Sequence, residues 1–358
     1  MCYERVMAQP GILVTGGTGF IGSRLVRKLV EEGHRVKVLA RPTSSLRALA
    51  GIDPARCEVV RGDVTIGHTV FRALAGCQRM FHVAAEFKMW APRPGEILDA
   101  AVVGTAETLE AARLRDLEKI VVTSSTAAMG ASPDAKPMDE AAAFNRDRST
   151  PYVVAKWKGE QVALERARQG MPIVVVNPAT VLGPGDYKPT PSADLVLEHL
   201  RWRLPFGMPV APGGISIADV DDVVRGHIAA MEVGRLGERY ILGGNNVTFE
   251  QLFTALSDIT GLPGAGPRIT RGLAELGGLA SELAARVFDF EPKLTYKMAR
   301  DYVGAYVWVS SEKAERELGY AIRPLRATLG RAIRFFLENG FVPQKRARDI
   351  RFDLTAFA

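Results

Sequence analysis

The first half of the chain alternates between short apolar runs and longer segments whose apolar residues recur at helical spacing. Six of the runs are predicted to be strands: 11–15, 36–40, 57–60, 80–84, 120–123 and 173–176. Three of the longer segments are predicted to be helices: 20–32, 95–113 and 152–168. Strands that are apolar throughout are buried on both faces, and helices between such strands make them parallel. The alternation therefore predicts an α/β fold built on a doubly wound parallel sheet.

The alternation of strands and helices ends after Pro178, where glycine and proline become frequent and the predicted helices are short. We expect a smaller lobe here, over the carboxyl edge of the sheet, where folds of this kind bind their ligands. The predicted divisions are an extension at 1–10, the sheet domain at 11–178, the lobe at 179–340 with some elements returning to the sheet domain, and a tail at 341–358.

One predicted helix of this lobe, 271–287, is amphipathic. Its apolar face is formed by Leu273, Leu276, Leu279, Leu283 and Val287. Such a face usually covers a core, which is the prediction here, and weak contact with a membrane surface is the alternative.

Charge and composition limit the partners of the chain. Its 358 residues include 46 lysines and arginines and 40 acids, a formal net charge of +6, and the basic residues are scattered among the acids. The one dense basic run comes near the end, at Lys345, Arg346, Arg348 and Arg351. Because a nucleic-acid binder concentrates its positive charge on one face, no nucleic-acid partner is predicted.

The cysteines and the N-terminus bear on the cellular compartment. Cys2, Cys57 and Cys77 lack the number and spacing of a disulfide framework or a metal site, so free thiols and no metal are predicted. The first residues lack the apolar core of a secretion signal, and no apolar stretch reaches the roughly 18 residues that span a bilayer. A cytoplasmic protein without a transmembrane segment is therefore expected.

A glycine-rich turn joins the first predicted strand to the first helix, with the sequence TGGTGFIG from Thr15 to Gly22. Gly16 permits the tight turn, Gly19 lets an anion approach the backbone, and Gly22 allows the helix to pack closely on the strand. The N–H groups and the dipole of the helix N-terminus then bind phosphate. We predict that a dinucleotide pyrophosphate binds here. The predicted contacts of this turn are Gly16, Thr18, Gly19, Phe20, Ile21 and Gly22.

The end of the second strand bears on the choice of nicotinamide cofactor. An NAD site usually has an acid there that accepts hydrogen bonds from the ribose, and this chain has none. Arg41 can instead bind a 2′-phosphate, and Ser44 adds a hydroxyl donor. NADP(H) is therefore predicted over NAD(H), which stays possible because an arginine in a loop can be a solvated surface residue.

Tyr152 and Lys156 form a YxxxK pair in the third predicted helix. Their i, i+4 spacing puts the phenol and the ammonium on the same helix face. The positive charge is expected to lower the pKa of the Tyr152 phenol toward neutrality. That suits a general acid/base that exchanges a proton with a hydroxyl or a carbonyl, and Lys156 can also bond the ribose of the nicotinamide.

The glycine spacing and the YxxxK pair together resemble the extended short-chain dehydrogenases/reductases, and the likeness extends from Gly11 to about Gly340. It implies a Rossmann-type sheet with a smaller C-terminal substrate lobe. Within this group, the sequence GCQRMFHVAA at 76–85 resembles the dihydroflavonol-4-reductase and 3β-hydroxysteroid dehydrogenase branch. Trp90 and the sequence KPTP at 188–191 resemble the hopanoid-associated sugar epimerase-like proteins.

The resemblance carries functional roles onto further positions. In the sequence TSSTAAMG at 123–130, Ser125 takes the place of the serine that holds the substrate oxygen against Tyr152, with Ser124 the second choice. Further cofactor contacts are implied at Asp63, Val64, Val83, Ala84, Ala85, Thr123, Tyr152, Lys156, Pro178, Thr180 and Val181. His82 is expected to be a core histidine. The alternative interpretations are a turn-capping role for Asp63 and backbone hydrogen bonding for the hydroxyl groups at 123–125.

The reaction that the resemblance implies is hydride transfer between the nicotinamide and a carbon that bears oxygen, with Tyr152 moving the proton. We predict reduction of a ketone or aldehyde of a hydrophobic small molecule. Glu86 and Trp90, in the loop after the fourth strand, are predicted to contact the substrate together with Ser125 and Tyr152. The apolar residues that favour such a substrate are Trp90, Trp202, Phe206 and Met208, each of which is equally plausible as a core residue.

Two other functions stay open. A nucleotide-sugar epimerase or dehydratase would retain tightly bound NAD, and a cofactor-binding regulator would usually have a broken YxxxK pair, which is intact here. The predicted helices at 95–113 and 152–168 resemble those that form a four-helix dimer interface in relatives, which implies a homodimer.

Overall fold

A computed structural model describes residues 11–85, 94–132, 134–146, 149–288 and 294–351. At 94–100 and at 286 only the backbone is described. The predicted extension at 1–10 and the end of the predicted tail lie outside the described residues.

The strands, in chain order, are β1 Gly11–Thr15, β2 Val36–Ala40, β3 Cys57–Arg61, β4 Cys77–His82, β5 Lys119–Thr123, β6 Ile173–Pro178, β7 Thr180–Leu182, β8 Met208–Val210, β9 Gly214–Asp219, β10 Arg239–Leu242, β11 Asn245–Thr248, β12 Ala265–Arg268 and β13 Tyr306–Val307. The helices are α1 Phe20–Glu31, α2 Gly67–Ala73, α3 Pro94–Leu114, α4 Pro151–Arg168, α5 Pro191–Arg201, α6 Val220–Val233, α7 Phe249–Thr260, α8 Arg271–Phe288, α9 Tyr296–Tyr302, α10 Glu312–Leu318, α11 Leu325–Glu338 and α12 Gln344–Ala347. The strands and helices predicted in the first half are confirmed, and the largest shift is in β4, which begins and ends earlier than 80–84.

Seven strands form one sheet in the order β10-β6-β5-β4-β1-β2-β3. Each neighbouring pair in this order is parallel. The order runs outward in both directions from β1 and β4, which leaves a crevice between their carboxyl ends. Because helices cover both faces, an inner strand such as β6 is buried at every residue. The predicted doubly wound α/β fold is confirmed.

The second half of the chain builds a lobe on short strands. In it, β9 pairs with β7, β11 and β13, and β8 pairs with β12. Apolar side chains of α5, α7 and α11, among them Leu197, Leu256 and Ile333, form a separate core behind these strands. One strand, β10, returns to the large sheet beside β6, with Tyr240 opposite Val176.

Ion pairs join this lobe to the first helix of the sheet. Asp221, in the first turn of α6, accepts hydrogen bonds from Arg24 of α1, at 2.7 Å, and from Arg331 of α11. Arg331 also donates to Asp219 at 3.0 Å. Helices α1 and α11 therefore both bind carboxylates at the N-terminus of α6.

Helix α8 differs from the prediction that its apolar face covers a core. Its five predicted core residues at 273–287 are between 46% and 75% exposed. The opposite face packs on α9 through small residues: Ala274 and Ala285 are buried, and a Cβ on Gly278 would lie 2.6 Å from the backbone of Thr295. Because α8 and α9 approach closely, only small residues of α8 fit between them, and the large apolar residues of α8 lie on its exposed face. Among the described residues, no helix is both long and apolar enough to cross a membrane.

Candidate active site

The glycine loop leads from β1 directly into α1. Gly16 has a φ of +70°, and its carbonyl accepts a hydrogen bond from the N–H of Gly19 at 2.9 Å. A Cβ on Gly22 would lie 2.2 Å from the same carbonyl oxygen, so only glycine lets α1 begin this close to the loop. No side chain caps α1, and no acid lies in its first turn, so the first N–H groups stay available to an anion. Phe20 and Ile21 pack partly against the core of the sheet, and Thr18 is partly exposed.

Basic side chains gather where β2 and β3 end. Arg41 is exposed, and its carbonyl accepts hydrogen bonds from the N–H of Ser44 at 3.0 Å and from Nη1 of Arg61 at 2.9 Å. Arg72 of α2 donates to the carbonyl of Arg61 at 3.1 Å. The sequence analysis identified Arg41 and missed two further arginines. Pairing of β2 with β3 brings Arg61 to this corner, and the hydrogen bond to the Arg61 carbonyl brings Arg72 there.

Asp63 has the contacts of a turn-capping residue. Its Oδ1 accepts hydrogen bonds from the N–H of Thr65 at 2.9 Å and from the Thr65 hydroxyl at 2.8 Å. Val64, beside it, packs against the core on the α3 side of the sheet. These contacts match the alternative interpretation of Asp63, and cofactor contact by either residue stays a prediction.

The segment after β4 lies against the glycine loop. Thr15 accepts hydrogen bonds at its carbonyl from the N–H of Val83, at 3.2 Å, and at its hydroxyl from the N–H of Ala84, at 3.3 Å. The same hydroxyl hydrogen-bonds Nδ1 of His82 at 2.8 Å. Burial, together with the smaller effect of the Lys156 charge, lowers the pKa of His82 to about 4, so the imidazole is neutral. The prediction of a core histidine is confirmed, and residues 83–85 border the site.

Tyr152, Lys156 and Ser125 meet at the carboxyl end of β5. Tyr152 is 8% exposed, and its hydroxyl is hydrogen-bonded with Ser125. The Nζ of Lys156 donates to the carbonyls of Thr123 and Ser124, at 3.4 and 3.3 Å. The structure therefore brings together the three residues predicted to react. Ser124, the second choice for the serine role, is 6% exposed, and its Oγ has no hydrogen-bond partner within the described part of the chain.

The predicted lowering of the Tyr152 pKa is wrong for this structure. Burial raises the pKa of Tyr152 to about 12, and the hydrogen bond with Ser125 offsets only part of that rise. Lys156 turns its ammonium toward backbone carbonyls, and burial lowers its own pKa to about 8, an effect that the carboxylate of Glu160 partly offsets. The phenol is therefore held in its protonated form.

A second layer of side chains holds this trio, and the sequence analysis missed it. Asn177 donates from Nδ2 to the carbonyl of Ser125 at 3.1 Å and to the carboxylate of Glu160. Glu160 is 1% exposed and accepts a hydrogen bond from Arg239 of β10 at 2.7 Å. The available signals were the position of Glu160, one turn after Lys156 on α4, and that of Asn177 at the end of β6.

Several predicted cofactor contacts use their side chains elsewhere. The Thr123 hydroxyl hydrogen-bonds Nε2 of His227 at 2.9 Å, so it faces α6. Val181 is 7% exposed and belongs to the main core, and Pro178 is buried at the end of β6. Thr180, partly buried, opens β7. Contact of Thr123 or Val181 with a cofactor would therefore run through the backbone.

The predicted substrate contacts are described only in part. Glu86 and Trp90 lie outside the described residues. Trp202 and Phe206 pack edge to face with ring centroids 6.2 Å apart, and Nε1 of Trp202 donates to the carbonyl of Phe206 at 2.7 Å. Met208 begins β8. The contacts of this pair lie within its own turn and to the C-terminal segment, so its place in a substrate cleft stays a prediction.

A parallel sheet with an anion-binding glycine loop at its crevice, and a tyrosine, a lysine and a serine beside that crevice, defines the class of nicotinamide-dependent oxidoreductases with a Rossmann-type fold. The chain belongs to the NAD dependent epimerase/dehydratase family, whose model matches residues 12–243. This confirms the resemblance to the extended short-chain dehydrogenases/reductases.

Individual relatives agree with this membership. A protein from Synechocystis sp. named as a dihydroflavonol 4-reductase is 33% identical over 92% of this chain and 95% of its own length. The sterol demethylase protein B of Methylococcus capsulatus is 30% identical over 92% of this chain and 99% of its own. The crystal structure of gox2253 superimposes with a TM-score of 0.81 and 37% identity, covering 93% of this chain and 99% of that one. The protein is thus an NAD(P)-dependent oxidoreductase of the short-chain dehydrogenase/reductase type.

Proposed function

We propose that this protein is an NADP(H)-dependent reductase that converts a ketone or aldehyde of a hydrophobic small molecule into an alcohol. The observation that carries the proposal is the meeting of Tyr152, Ser125 and Lys156 at the carboxyl end of β5, beside the crevice of the sheet. Because burial raises the pKa of this phenol to about 12, it holds its proton at neutral pH, as the general acid of a carbonyl reduction must. The reductase name of the Synechocystis relative supports the same direction.

In this reaction the hydroxyl groups of Ser125 and Tyr152 hold the carbonyl oxygen of the substrate. Tyr152 donates its proton to that oxygen as negative charge develops on it. Lys156, one turn further along α4, stabilises the phenolate that remains, and its pKa of about 8 keeps most of the ammonium charged at neutral pH. The carbonyls of Thr123 and Ser124 fix the position of the ammonium.

The chain fits a dinucleotide cofactor at the crevice between β1 and β4. The uncapped N-terminus of α1 and the glycine loop would hold the pyrophosphate, because the loop has no side chain where a phosphate approaches Gly19. Tyr152 and Lys156 would hold the ribose next to the nicotinamide. When bound, the cofactor supplies the hydride that the carbonyl carbon accepts.

The test of the catalytic assignment is the Tyr152→Phe variant. We expect its kcat with NADPH and hydrophobic ketones to fall about 100-fold to 10,000-fold, because the general acid is lost. NADPH binding, followed by fluorescence titration, should be retained. The control is Tyr296→Phe, at a tyrosine that is 39% exposed, which should leave kcat unchanged. Turnover by Tyr152→Phe at the wild-type rate would falsify the assignment.

The preference for NADP(H) is supported by the basic corner formed by Arg41, Arg61 and Arg72. In Arg41→Ala we expect kcat/KM with NADPH to fall about tenfold or more and kcat/KM with NADH to stay the same, since only NADPH carries the 2′-phosphate. Arg35→Ala is the control, because Arg35 is exposed at the opposite end of β2. Equal use of both cofactors by the wild type would contradict the preference.

The same measurements address the nucleotide-sugar epimerase or dehydratase alternative. Such an enzyme would be purified with NAD in place, so release of NAD on denaturation, without turnover of added NADPH, would favour it over a reductase.

We propose a homodimer that forms through α3 and α4. These helices pack side by side on one face of the sheet, and Val103 of α3 is 44% exposed there. Sedimentation at the mass of a monomer in analytical ultracentrifugation would contradict this proposal.

A further inference from the structure

A basic run lies near the end of the described chain, and the proposed reaction gives it no part. Lys345, Arg346 and Arg348 lie in and just after the short helix α12. Lys345 and Arg348 are exposed, whereas only 13% of the Arg346 side chain is exposed. Ala347 and Ile350 pack against the core of the lobe. This C-terminal segment is therefore fixed by its apolar side, and it presents Lys345 and Arg348 to the solvent.

Hydrogen bonds join the C-terminal segment to the turn after α5. Arg346 donates from Nε to the carbonyl of Leu200 at 3.1 Å and from Nη2 to the carbonyl of Trp202. In the opposite direction, Arg201 donates from Nη2 to the carbonyl of Phe341 at 2.9 Å. The turn and the C-terminal segment therefore form one continuous surface, although about 140 residues of sequence separate them.

The turn presents apolar side chains next to exposed arginines. Its sequence from Arg201 to Phe206 is RWRLPF. Leu204 is 46% exposed and Phe206 is 48% exposed. Arg201 and Arg203 are exposed as well. Nε1 of Trp202 donates to the carbonyl of Phe206 at 2.7 Å, which fixes the shape of the turn. The turn thus holds two large apolar side chains in the solvent.

The exposed charges of this surface are mostly of one sign. We call the basic patch its four exposed cations and two exposed apolar residues: Arg201, Arg203, Lys345, Arg348, Leu204 and Phe206. The sequences 201–206 and 341–351 contain one acid, Asp349, which is bound to Arg346 at 3.2 Å. Glu338, at the end of α11, is bound to Arg334 at 3.0 Å. The patch therefore offers both positive charge and apolar surface to a partner.

The combination of charge and apolar surface favours one kind of partner. A second copy would bring the same four cations against one another, because a symmetric contact pairs each patch with itself. A nucleic acid would bind the cations and leave the aliphatic Leu204 without a partner, since bases stack on aromatic side chains. The surface of an anionic bilayer fits both features, because its headgroups bind cations and the boundary with its acyl chains takes up apolar side chains.

We propose that the basic patch docks the protein reversibly on membranes that contain anionic phospholipid, with Leu204 and Phe206 inserted among the headgroups. The inference is independent of the proposed reductase function. Each cation near an anionic membrane surface strengthens binding about fivefold, and salt weakens that attraction. Four cations together therefore give an attachment that forms at low salt and is released at high salt.

The experiment measures co-sedimentation of the full-length protein with vesicles of phosphatidylcholine, alone or with about 30% phosphatidylglycerol. We expect the wild type to bind the anionic vesicles about tenfold or more tightly than the neutral ones, and to be released as salt rises from about 0.05 to about 0.5 M. A triple variant with Arg203→Gln, Lys345→Gln and Arg348→Gln should lose the preference. Leu204→Gln should weaken binding about threefold or more, and Leu204→Phe should retain it.

Matched controls separate the basic patch from the total charge of the protein. A control triple variant removes three exposed arginines elsewhere, with Arg35→Gln, Arg56→Gln and Arg168→Gln. Leu236→Gln, at a leucine that is 56% exposed after α6, is the control for Leu204→Gln. Both controls should bind the anionic vesicles as the wild type does. The midpoint of thermal unfolding, measured for each variant, should stay that of the wild type because the substituted side chains are exposed.

Three results would overturn the proposal. The first is equal binding of the wild type to both kinds of vesicle, or equal effects of the two triple variants. The second is tighter binding to single-stranded RNA than to anionic vesicles, which would assign the patch to a nucleic acid. The third is a lower mass in analytical ultracentrifugation for the patch triple variant than for the wild type, which would assign the patch to a second copy of the chain.

Discussion

Glu160 is the buried carboxylate that acts on the charge of Lys156. It lies four residues after Lys156 on α4. Burial lowers the pKa of Lys156, and the charge of Glu160 offsets part of that effect by raising it. Its own charge is balanced by Arg239, at 2.7 Å, and by the amide of Asn177. Glu160 is thus a positioning residue, because it acts on the reaction only through the ammonium.

As pH rises, we expect the Glu160→Gln variant to lose activity at a lower pH than the wild type does. Without the carboxylate the pKa of Lys156 falls further below 8, so the ammonium is lost earlier as pH rises. The alkaline limb of the kcat/KM profile should move down by about one pH unit. Glu160→Asp should restore most of the shift, and Glu165→Gln, at an exposed acid of the same helix, should show none. An unmoved limb in Glu160→Gln would limit Glu160 to a structural role.

The turn from β1 into α1 is packed so closely that backbone segments touch at its glycines. Gly22 brings the first turn of α1 onto the carbonyl of Gly16. Gly16 in turn passes close to Ala84, whose backbone nitrogen would lie 2.6 Å from a Cβ added to Gly16. Each contact is made to backbone atoms, which cannot move aside as a flexible side chain can.

Gly22→Ala is therefore expected to weaken NADPH binding by about tenfold or more and to lower the midpoint of thermal unfolding. The added methyl group would lie 2.2 Å from the Gly16 oxygen, and α1 must move to relieve the clash. Gly277→Ala is the matched control, because its Cβ in α8 would meet nothing within 4 Å. At that position alanine leaves the unfolded backbone less conformational entropy to lose than glycine does, so the substitution should stabilise the helix by up to about 1 kcal/mol. Normal NADPH affinity in Gly22→Ala would contradict the role given to this contact.

Elements whose signal is local could be predicted from the sequence, and contacts set by tertiary packing could not. The strands β1 and β6 are apolar on both faces and the loop at Gly16 requires glycine, so these patterns determined the sheet and the crevice. The pKa of Tyr152 depends on how deeply packing buries the phenol, which the spacing to Lys156 does not report. Likewise the exposed face of α8 and the partner of the Thr123 hydroxyl depend on which distant element packs there.

At the scale of the whole molecule, three histidines are buried in different places. His82 lies beside β1, His199 is in the lobe next to Thr260, and His227 of α6 is behind β5. Burial is the main cause that lowers the pKa of each to about 4. Since these values lie below the ordinary value of 6.5, the unfolded chain binds more protons than the folded protein between pH 6.5 and 4.

The free energy of unfolding is therefore expected to fall as pH falls through that window. At pH 5.5 each buried histidine should cost about 1 kcal/mol relative to pH 7.5, measured by urea unfolding. His227→Gln should lose about that much of the difference between the two pH values, whereas His68→Gln, at an exposed histidine, should keep all of it. Equal pH dependence in wild type and His227→Gln would contradict this account.

The return of β10 to the large sheet has a consequence for synthesis of the chain. β6 pairs with β5 on one side and with β10 on the other, and β10 leaves the ribosome only after β7, β8, β9 and α6 have been made. Throughout that interval the nascent chain carries a largely apolar strand, every residue of which is buried in the final fold, with one row of backbone N–H and C=O groups unpaired. Such an edge recruits strands from other chains, so overproduction at high translation rates should demand chaperones until Arg239–Leu242 emerges to close it.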